Sequence, residues 1–379
     1  MIKYRKHILF IHHSGNKGGA PRSLALIINN LSELINIKKT VFSIRKGPGN
    51  KAITKIASRH IVGKLQFPFH TSESAETGLK NFFRNILSFL SAFVIFPAYA
   101  FMAKKVDLIY LNSPSMVFHG LVTKLMNPSA KVICHIREPA RNNLSSRFVA
   151  SLLEKYVDKF IAISSYDANS WFPTGNEKLE VIYNYISVPD EIACERNKLS
   201  TITFGYLARF RLDNGLGLIV DTARQLESRE DIRFKLIGYT GHEDKAVRDL
   251  ISQNTGELRN LEVLPMVDDI NAAIRGFDVL LVPFLKPHFS RSVVECGAFK
   301  LPSICSDVGQ LKEQVIDHKT GLLVKVGSLK SLITAIKYYA DNPDVLRAHG
   351  VNAKRFIKSN FGDENGIKIR NIIVGYLEG

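Results

Sequence analysis

The sequence predicts an α/β protein built from two successive parallel-sheet domains. Three observations carry that prediction. Short apolar, β-branched runs alternate with longer helical patterns along the whole chain, which is the signature of stacked βαβ units. The alternation pauses in a polar stretch, residues 187–200, and then starts again. The 379 residues also suffice for two domains of roughly 100–200 residues, each able to bury a core of its own.

In the first half, residues 8–12, 39–44, 108–111, 132–135, 160–164 and 179–183 read as strands, and 24–34 as the first crossover helix. In the second half, 201–207, 234–237, 261–264, 279–282, 303–305 and 321–324 repeat the strand pattern. The expected domains are therefore 1–190 and 198–360, with the linker between them. No fixed-period repeat or low-complexity tract interrupts either series.

Composition narrows the class. Hydrophobic residues make up 45% and charged residues 23%, ordinary usage for a globular protein and far from that of a disordered chain. Cys134, Cys194, Cys296 and Cys305 are scattered with no C-x-x-C pair. That spacing suits neither a disulfide framework nor a zinc knuckle, so reduced thiols and a cytoplasmic setting are expected. The N-terminus is basic, but the apolar run from Ile8 to Ile11 is too short for the core of a signal peptide.

Net charge is +16, and it is uneven. Residues 1–190 hold 25 basic and 11 acidic side chains, against 26 and 24 in residues 191–379. A basic excess confined to one half attracts polyanions: nucleic acid, an anionic leaflet or a phosphorylated substrate. Residues 85–103 carry no charge, are rich in Phe, Ile and Leu, and are flanked by Lys80, Arg84, Lys104 and Lys105. A membrane span needs about 20 apolar residues, but Ser88, Ser91 and Pro97 interrupt this run and it lies between strands of one sheet. Two readings stay open: an interfacial helix with basic flanks, and a core helix kinked at Pro97.

After the first strand comes Ser14-Gly15-Asn16-Lys17-Gly18-Gly19-Ala20-Pro21-Arg22-Ser23. Glycines at a strand-to-helix turn admit a ligand close to the backbone, and helix-start N–H groups favour phosphate. The turn is neither G-x-G-x-x-G nor G-x-x-x-x-G-K-[ST], which weighs against a dinucleotide oxidoreductase and a P-loop NTPase. Asp268-Asp269 precedes the apolar run Ile270 to Ile274 and reads as a helix cap rather than a metal site.

The second half opens with Phe204-Gly205-Tyr206-Leu207-Ala208-Arg209-Phe210-Arg211-Leu212-Asp213-Asn214-Gly215. It continues with Pro283-Phe284-Leu285-Lys286-Pro287-His288-Phe289-Ser290-Arg291-Ser292-Val293-Val294-Glu295, then Ser306-Asp307-Val308-Gly309-Gln310 and Lys319-Thr320-Gly321-Leu322. In this order and spacing, with the early Gly-Gly-Ala turn, the chain resembles the retaining GT-B glycosyltransferases known as family 4, or glycosyl transferases group 1. The resemblance implies two Rossmann-like domains facing across a cleft, the nucleotide sugar on the second and the acceptor on the first, with residues 361–379 crossing back to the first.

The resemblance also implies residue roles. Gly18 and Gly19 fall on the donor side. Arg209 matches the arginine of a basic pair that grips the donor diphosphate; Asn214 stands where a lysine is usual, and Arg211 and Arg291 are candidates for the second charge. Glu295 matches the glutamate that holds the nucleotide ribose, while Pro287 occupies the place of a partner glutamate that touches the transferred sugar. Ser290, Arg291, Ser292 and Val293 match the helix start facing the diphosphate. His135 matches an active-site histidine near the reacting carbon, with Arg137 and Glu138 beside it on the acceptor side. His12, His13 and His119 lack that support. Arg209 and Glu295 are both expected at the cleft rather than in the core.

The implied function is transfer of a sugar from a nucleotide-diphosphate sugar to a saccharide or lipid-linked acceptor, with retention, without metal or other cofactor, in cell-surface polysaccharide or glycolipid synthesis. The basic N-terminal half and residues 85–103 together add an expected peripheral contact with the anionic inner face of the cell membrane. A second reading is a non-catalytic relative that binds nucleotide sugars or polyanions, motivated by Pro287 and Asn214. A nucleic-acid-binding protein has charge as its only support, since no stacking platform or recognition helix is evident.

Overall fold

The computed structural model describes residues 6–16, 18–32, 34, 36–69, 79–101, 105–188 and 201–378. The expected linker lies outside these residues from Pro189 onward, as do Lys17, Lys104 and Cys194. The chain divides into two units, Met1–Tyr185 with Asp363–Gly379, and Ile186–Gly362.

The N-terminal unit runs β1 (Lys6–His12), α1 (Gly19–Asn30), β2 (Ile37–Ser43), α2 (Asn50–Ile56), β3 (Arg59–Val62) and α3 (Leu79–Leu90). After a π-helical turn, Ser91–Ile95, come α4 (Phe96–Phe101), β4 (Leu108–Leu111), α5 (Val117–Met126), β5 (Lys131–Ile136) and α6 (Leu144–Tyr156). β6 (Lys159–Ala162), α7 (Ser165–Trp171) and β7 (Leu179–Val181) complete the sheet. Its order is β3-β2-β1-β4-β5-β6-β7, with every pairing parallel.

A sheet covered on both faces needs strands that are apolar at every position, and Ile8-Leu9-Phe10-Ile11 is such a run. Side chains alternate across it. Leu9 and Ile11 enter the core that holds Phe42, Phe96 and Phe160, and Ile8 and Phe10 enter the one with Leu24, Ile27 and Ile28.

The C-terminal unit runs β8 (Ile202–Leu207), α8 (Leu216–Gln225), β9 (Ile232–Tyr239), α9 (Lys245–Asn254), β10 (Leu261–Pro265), α10 (Ile270–Arg275) and β11 (Val279–Val282). It continues through α11 (Arg291–Ala298), β12 (Ser303–Ser306), α12 (Leu311–Gln314), β13 (Gly321–Val324), α13 (Leu329–Asp341) and α14 (Pro343–Phe361). Its parallel sheet has the order β10-β9-β8-β11-β12-β13. A last helix, α15 (Asp363–Glu378), belongs to the N-terminal unit, where Ile369, Ile373 and Leu377 join the core beneath α1.

Two expectations need correction. The first crossover helix starts at Gly19, not Leu24, so the Gly-Gly-Ala-Pro sequence lies inside or just before its first turn. Pro21 fits there because the N–H it lacks would have no helical partner. The described part of that segment, residues 85–101, is not a core helix: only a stripe of Ser88, Ser91, Ala92, Phe96 and Ala100 is buried, while Leu90, Val94 and Phe101 are 47%, 74% and 58% exposed. The π-helical turn ahead of Pro97 accommodates the missing N–H and the ring.

Candidate functional site

In parallel α/β sheets, ligands gather at the carboxyl ends of the strands where the strand order reverses direction. In the C-terminal unit that point lies between β8 and β11, and the loops after these strands carry Arg209 to Gly215 and Pro283 to Ser290. The two loops are joined. Leu285 N donates to Asp213 O at 2.9 Å, and the Ser292 hydroxyl donates to Leu207 O at 2.5 Å. Gly215 has φ +76°, and a Cβ on it would stand 2.0 Å from Pro283 O, so only glycine lets the loops meet this closely.

Arg209 is exposed, while its carbonyl is held by the Tyr206 hydroxyl at 2.9 Å and by Asn214 Nδ2 at 3.0 Å. Asn214 thus shapes the loop that presents Arg209. Arg211 makes two 2.7 Å hydrogen bonds to Asp213, which hold that carboxyl below the usual carboxylate range. Its charge is already matched.

Ser290 precedes α11, and Gln314 grips its backbone from both sides, accepting from Ser290 N at 2.9 Å and donating to Ser290 O at 2.7 Å. That N–H is taken. Arg291 Nε donates to Glu295 Oε1 at 2.7 Å across one helical turn. Glu295 is 8% exposed and sits in the first turns of α11, paired with Arg291. Val293 packs its side chain into the core, leaving its backbone for any ligand. Pro287 packs against Gly309, whose φ is +50° and whose Cβ would come within 2.5 Å of the proline ring.

In the N-terminal unit the strand order reverses between β1 and β4. No described atom lies within 4 Å of a Cβ placed on Gly18 or Gly19, so packing of the chain does not require glycine at either. His12 at the end of β1, Asn112 just after β4, and His135 and Arg137 at the end of β5 are all buried. Arg137 donates from Nε to Asn112 Oδ1 at 2.9 Å and from Nη1 to Asn184 Oδ1 at 2.8 Å. Its Nη2 lies 3.2 Å from His135 Nδ1, and the Tyr110 hydroxyl is 2.6 Å from the same nitrogen. Burial first, and the Arg137 charge second, hold His135 well below its ordinary value.

Glu138 is half-buried; its carbonyl accepts from Trp171 Nε1 at 2.8 Å. His13 is held low by burial, with the Glu138 charge opposing. His119 is a core residue, bonded to Gln66 at 2.9 Å and set against Phe42 and Phe96. Asp269 caps α10, accepting from Ala272 N at 3.0 Å as the sequence suggested. Among the described residues, no group of three or more His, Cys, Asp or Glu could hold a metal ion.

The structure therefore gathers Arg209, Asn214, Ser290, Arg291, Ser292, Val293 and Glu295 around one sheet's switch point, and His135 and Arg137 near the other. Sequence reasoning did not single out Gln314, Asn112, Asn184 or Tyr110. A polar Asn112 directly after the apolar run Leu108 to Leu111 was the available signal, because a polar group at the end of a buried strand needs a partner.

Comparison with known proteins bears on the fold and on the C-terminal unit. Residues 190–356, most of the C-terminal unit, match the model of the Glycosyl transferases group 1 family. An uncharacterised glycosyltransferase of Methanocaldococcus jannaschii is 28% identical over 221 residues, 58% of this chain and 60% of that protein. The lipopolysaccharide core biosynthesis mannosyltransferase LpcC of Rhizobium leguminosarum is 27% identical over 121 residues, 32% of this chain and 34% of that protein. The chain thus spans less than two thirds of these relatives' length. Anabaena HepE, solved in complex with UDP and glucose, superposes with a TM-score of 0.77 at 19% identity, covering 98% of this chain and 99% of that one. The fold is GT-B, with two Rossmann-like domains.

Proposed function

We propose that the chain is a glycosyltransferase that moves a sugar from a nucleotide-diphosphate sugar to a saccharide or lipid-linked acceptor, with retention of anomeric configuration. The observation that carries this reading is the constellation at the C-terminal switch point. Exposed Arg209 stands on the loop after β8 and the Arg291–Glu295 pair on α11, which the Ser292 hydroxyl ties to Leu207 O at the end of β8, inside the region that matches the family. HepE, crystallised with UDP and glucose, and the mannosyltransferase LpcC support sugar transfer and a place in cell-surface polysaccharide or glycolipid assembly.

In this mechanism the diphosphate leaves with growing negative charge, and preorganised cations and amides lower that barrier. Arg209, with Arg291, meets the diphosphate, and the N–H groups of Ser292 and Val293 at the start of α11 add the helix dipole. Glu295 accepts from the ribose hydroxyls, and His135 contacts the sugar near the reacting carbon. Gly18 and Gly19 leave room on the donor side, and Glu138 lies toward the acceptor. Neither a metal nor another cofactor takes part, because basic side chains do the work of a divalent ion.

The segment Asn81–Phe101 is long and apolar enough by length and composition to cross a membrane, with mean hydropathy 1.4. Its buried stripe is part of the N-terminal core, so the reading here is peripheral: the outward Phe82, Phe83, Val94 and Phe101 enter the interface of an anionic leaflet on the cytoplasmic side. Arg84 and Lys105 flank the face with positive charge.

Pro287, packed on Gly309 where a carboxylate is expected, favours a second reading, a nucleotide-sugar binding protein without transferase activity. Incubation with nucleotide sugars and saccharide or lipid-linked acceptors, with NMR of the product anomer, tests both. A retained product supports the first reading, an inverted product overturns retention, and donor binding without transfer supports the second.

A further inference from the structure

The polar groups at the carboxyl ends of β1, β4 and β5 form a hydrogen-bonded chain whose polarity is fixed. A guanidinium only donates, so the Arg137 Nε bond at 2.9 Å identifies the Asn112 atom it meets as the carbonyl oxygen. The amide nitrogen of Asn112 then faces His12 Nδ1 at 2.9 Å. Being a donor, it requires that nitrogen to accept. Arg137 Nη2, which only donates, stands 3.2 Å from His135 Nδ1, so that nitrogen accepts, and the Tyr110 hydroxyl 2.6 Å from it then donates to the same nitrogen. A neutral imidazole carries one ring proton, and in both rings it is left on Nε2. Both Nε2 atoms are buried and have no hydrogen-bond partner among the described residues.

We infer that Arg137 is a positioning residue which, directly at His135 and through Asn112 at His12, holds both rings as neutral Nε2–H donors for an uncharged oxygen ligand such as a sugar hydroxyl. The identity of the ligand rests on the proposed placement of His135 at the transferred sugar; the tautomers do not. Burial is the main cause that keeps both rings uncharged, with the Arg137 charge adding to it. An imidazolium would suit the diphosphate, whereas a neutral donor suits a hydroxyl. Arg137, whose donors are turned inward to Asn112, Asn184 and His135, then acts behind the histidine instead of gripping an acceptor.

The test is long-range proton–nitrogen NMR of the full chain labelled with nitrogen-15 histidine, with His12→Gln and His135→Gln assigning the signals. Both rings are expected to show a protonated Nε2 and an unprotonated Nδ1 at pH 7. Asn112→Asp replaces the amide donor by a group that only accepts while keeping its shape. It should move the proton of His12 onto Nδ1 and leave His135 unchanged, a selective reversal expected only if the group at position 112 sets the His12 tautomer. A proton on Nδ1 of either histidine in the wild type overturns the inference, and so does an unchanged His12 in a folded Asn112→Asp variant. If that variant fails to fold, the wild-type spectrum decides alone. The expected tautomers together with full transferase activity in His135→Ala would uphold the role of Arg137 and overturn the sugar contact.

Discussion

Replacing Glu295 by Gln probes the donor site with the least disturbance to the fold. The carboxylate is 10% exposed at the side chain and accepts from Arg291 Nε at 2.7 Å, with Arg291 itself 17% exposed. Glu295→Ala would take this partner from a largely buried guanidinium, which costs about 3–5 kcal/mol and confuses stability with function. Glu295→Gln keeps an oxygen for Arg291 and loses only the charge. A charge-assisted hydrogen bond contributes roughly 1.5–3 kcal/mol and a neutral one roughly 0.5–1.5 kcal/mol, so each bond made by the carboxylate weakens by about 1–1.5 kcal/mol. For one bond to the ribose that is roughly a 5–12-fold loss in kcat/KM at about 1.4 kcal/mol per decade. Steady-state transfer kinetics and the Kd for the nucleoside diphosphate read the effect, with the thermal midpoint as control. Wild-type kinetics and affinity in a folded Glu295→Gln protein would refute the assignment and leave an ordinary ion pair within α11.

His135→Ala should lower kcat more than it weakens nucleotide binding, because stabilisation confined to the transition state appears in turnover; equal nucleotide affinity with full activity would contradict it. Stability should fall with acid below pH 6.5. His12, His119 and His135 are held below their ordinary value chiefly by burial, His119 down to about 3, so the unfolded chain binds more protons there and each histidine costs about 1.4 kcal/mol per pH unit. A urea midpoint that stays flat from pH 7 to pH 5 would contradict this. Vesicles of anionic lipid should bind the protein at low salt and release it at high salt, and Lys104→Glu with Lys105→Glu should weaken binding. No sedimentation with anionic vesicles at low salt would remove the membrane reading.

The parallel sheets were legible because buried strands announce themselves as continuous apolar runs, as in Leu108 to Leu111 and Val279 to Val282. β3 was not, since Arg59-His60-Ile61-Val62 is an edge strand with a polar start and too short for a pattern. The beginning of α1 was hidden by Gly18-Gly19-Ala20-Pro21, residues that read as a turn although the first helical turn accepts them. The site was legible in its charged members, Arg209, Arg291 and Glu295. Its supports were not, because Gln314 reaches Ser290 across 24 positions and Asn184 reaches Arg137 across 47. Sequence spacing gives no sign of such contacts.

Isothermal titration of the wild-type chain and Arg209→Ala with a panel of nucleoside diphosphates and their sugars reads donor binding at the C-terminal unit. At least one nucleoside diphosphate should bind the wild type, and Arg209→Ala should weaken it by roughly 10–150-fold, the loss of a charge-assisted hydrogen bond of about 1.5–3 kcal/mol. Arg209 is exposed, so the variant should keep its thermal midpoint. Binding of none of the panel, or equal binding by the variant, would contradict the claim that the C-terminal unit holds a nucleotide-diphosphate sugar.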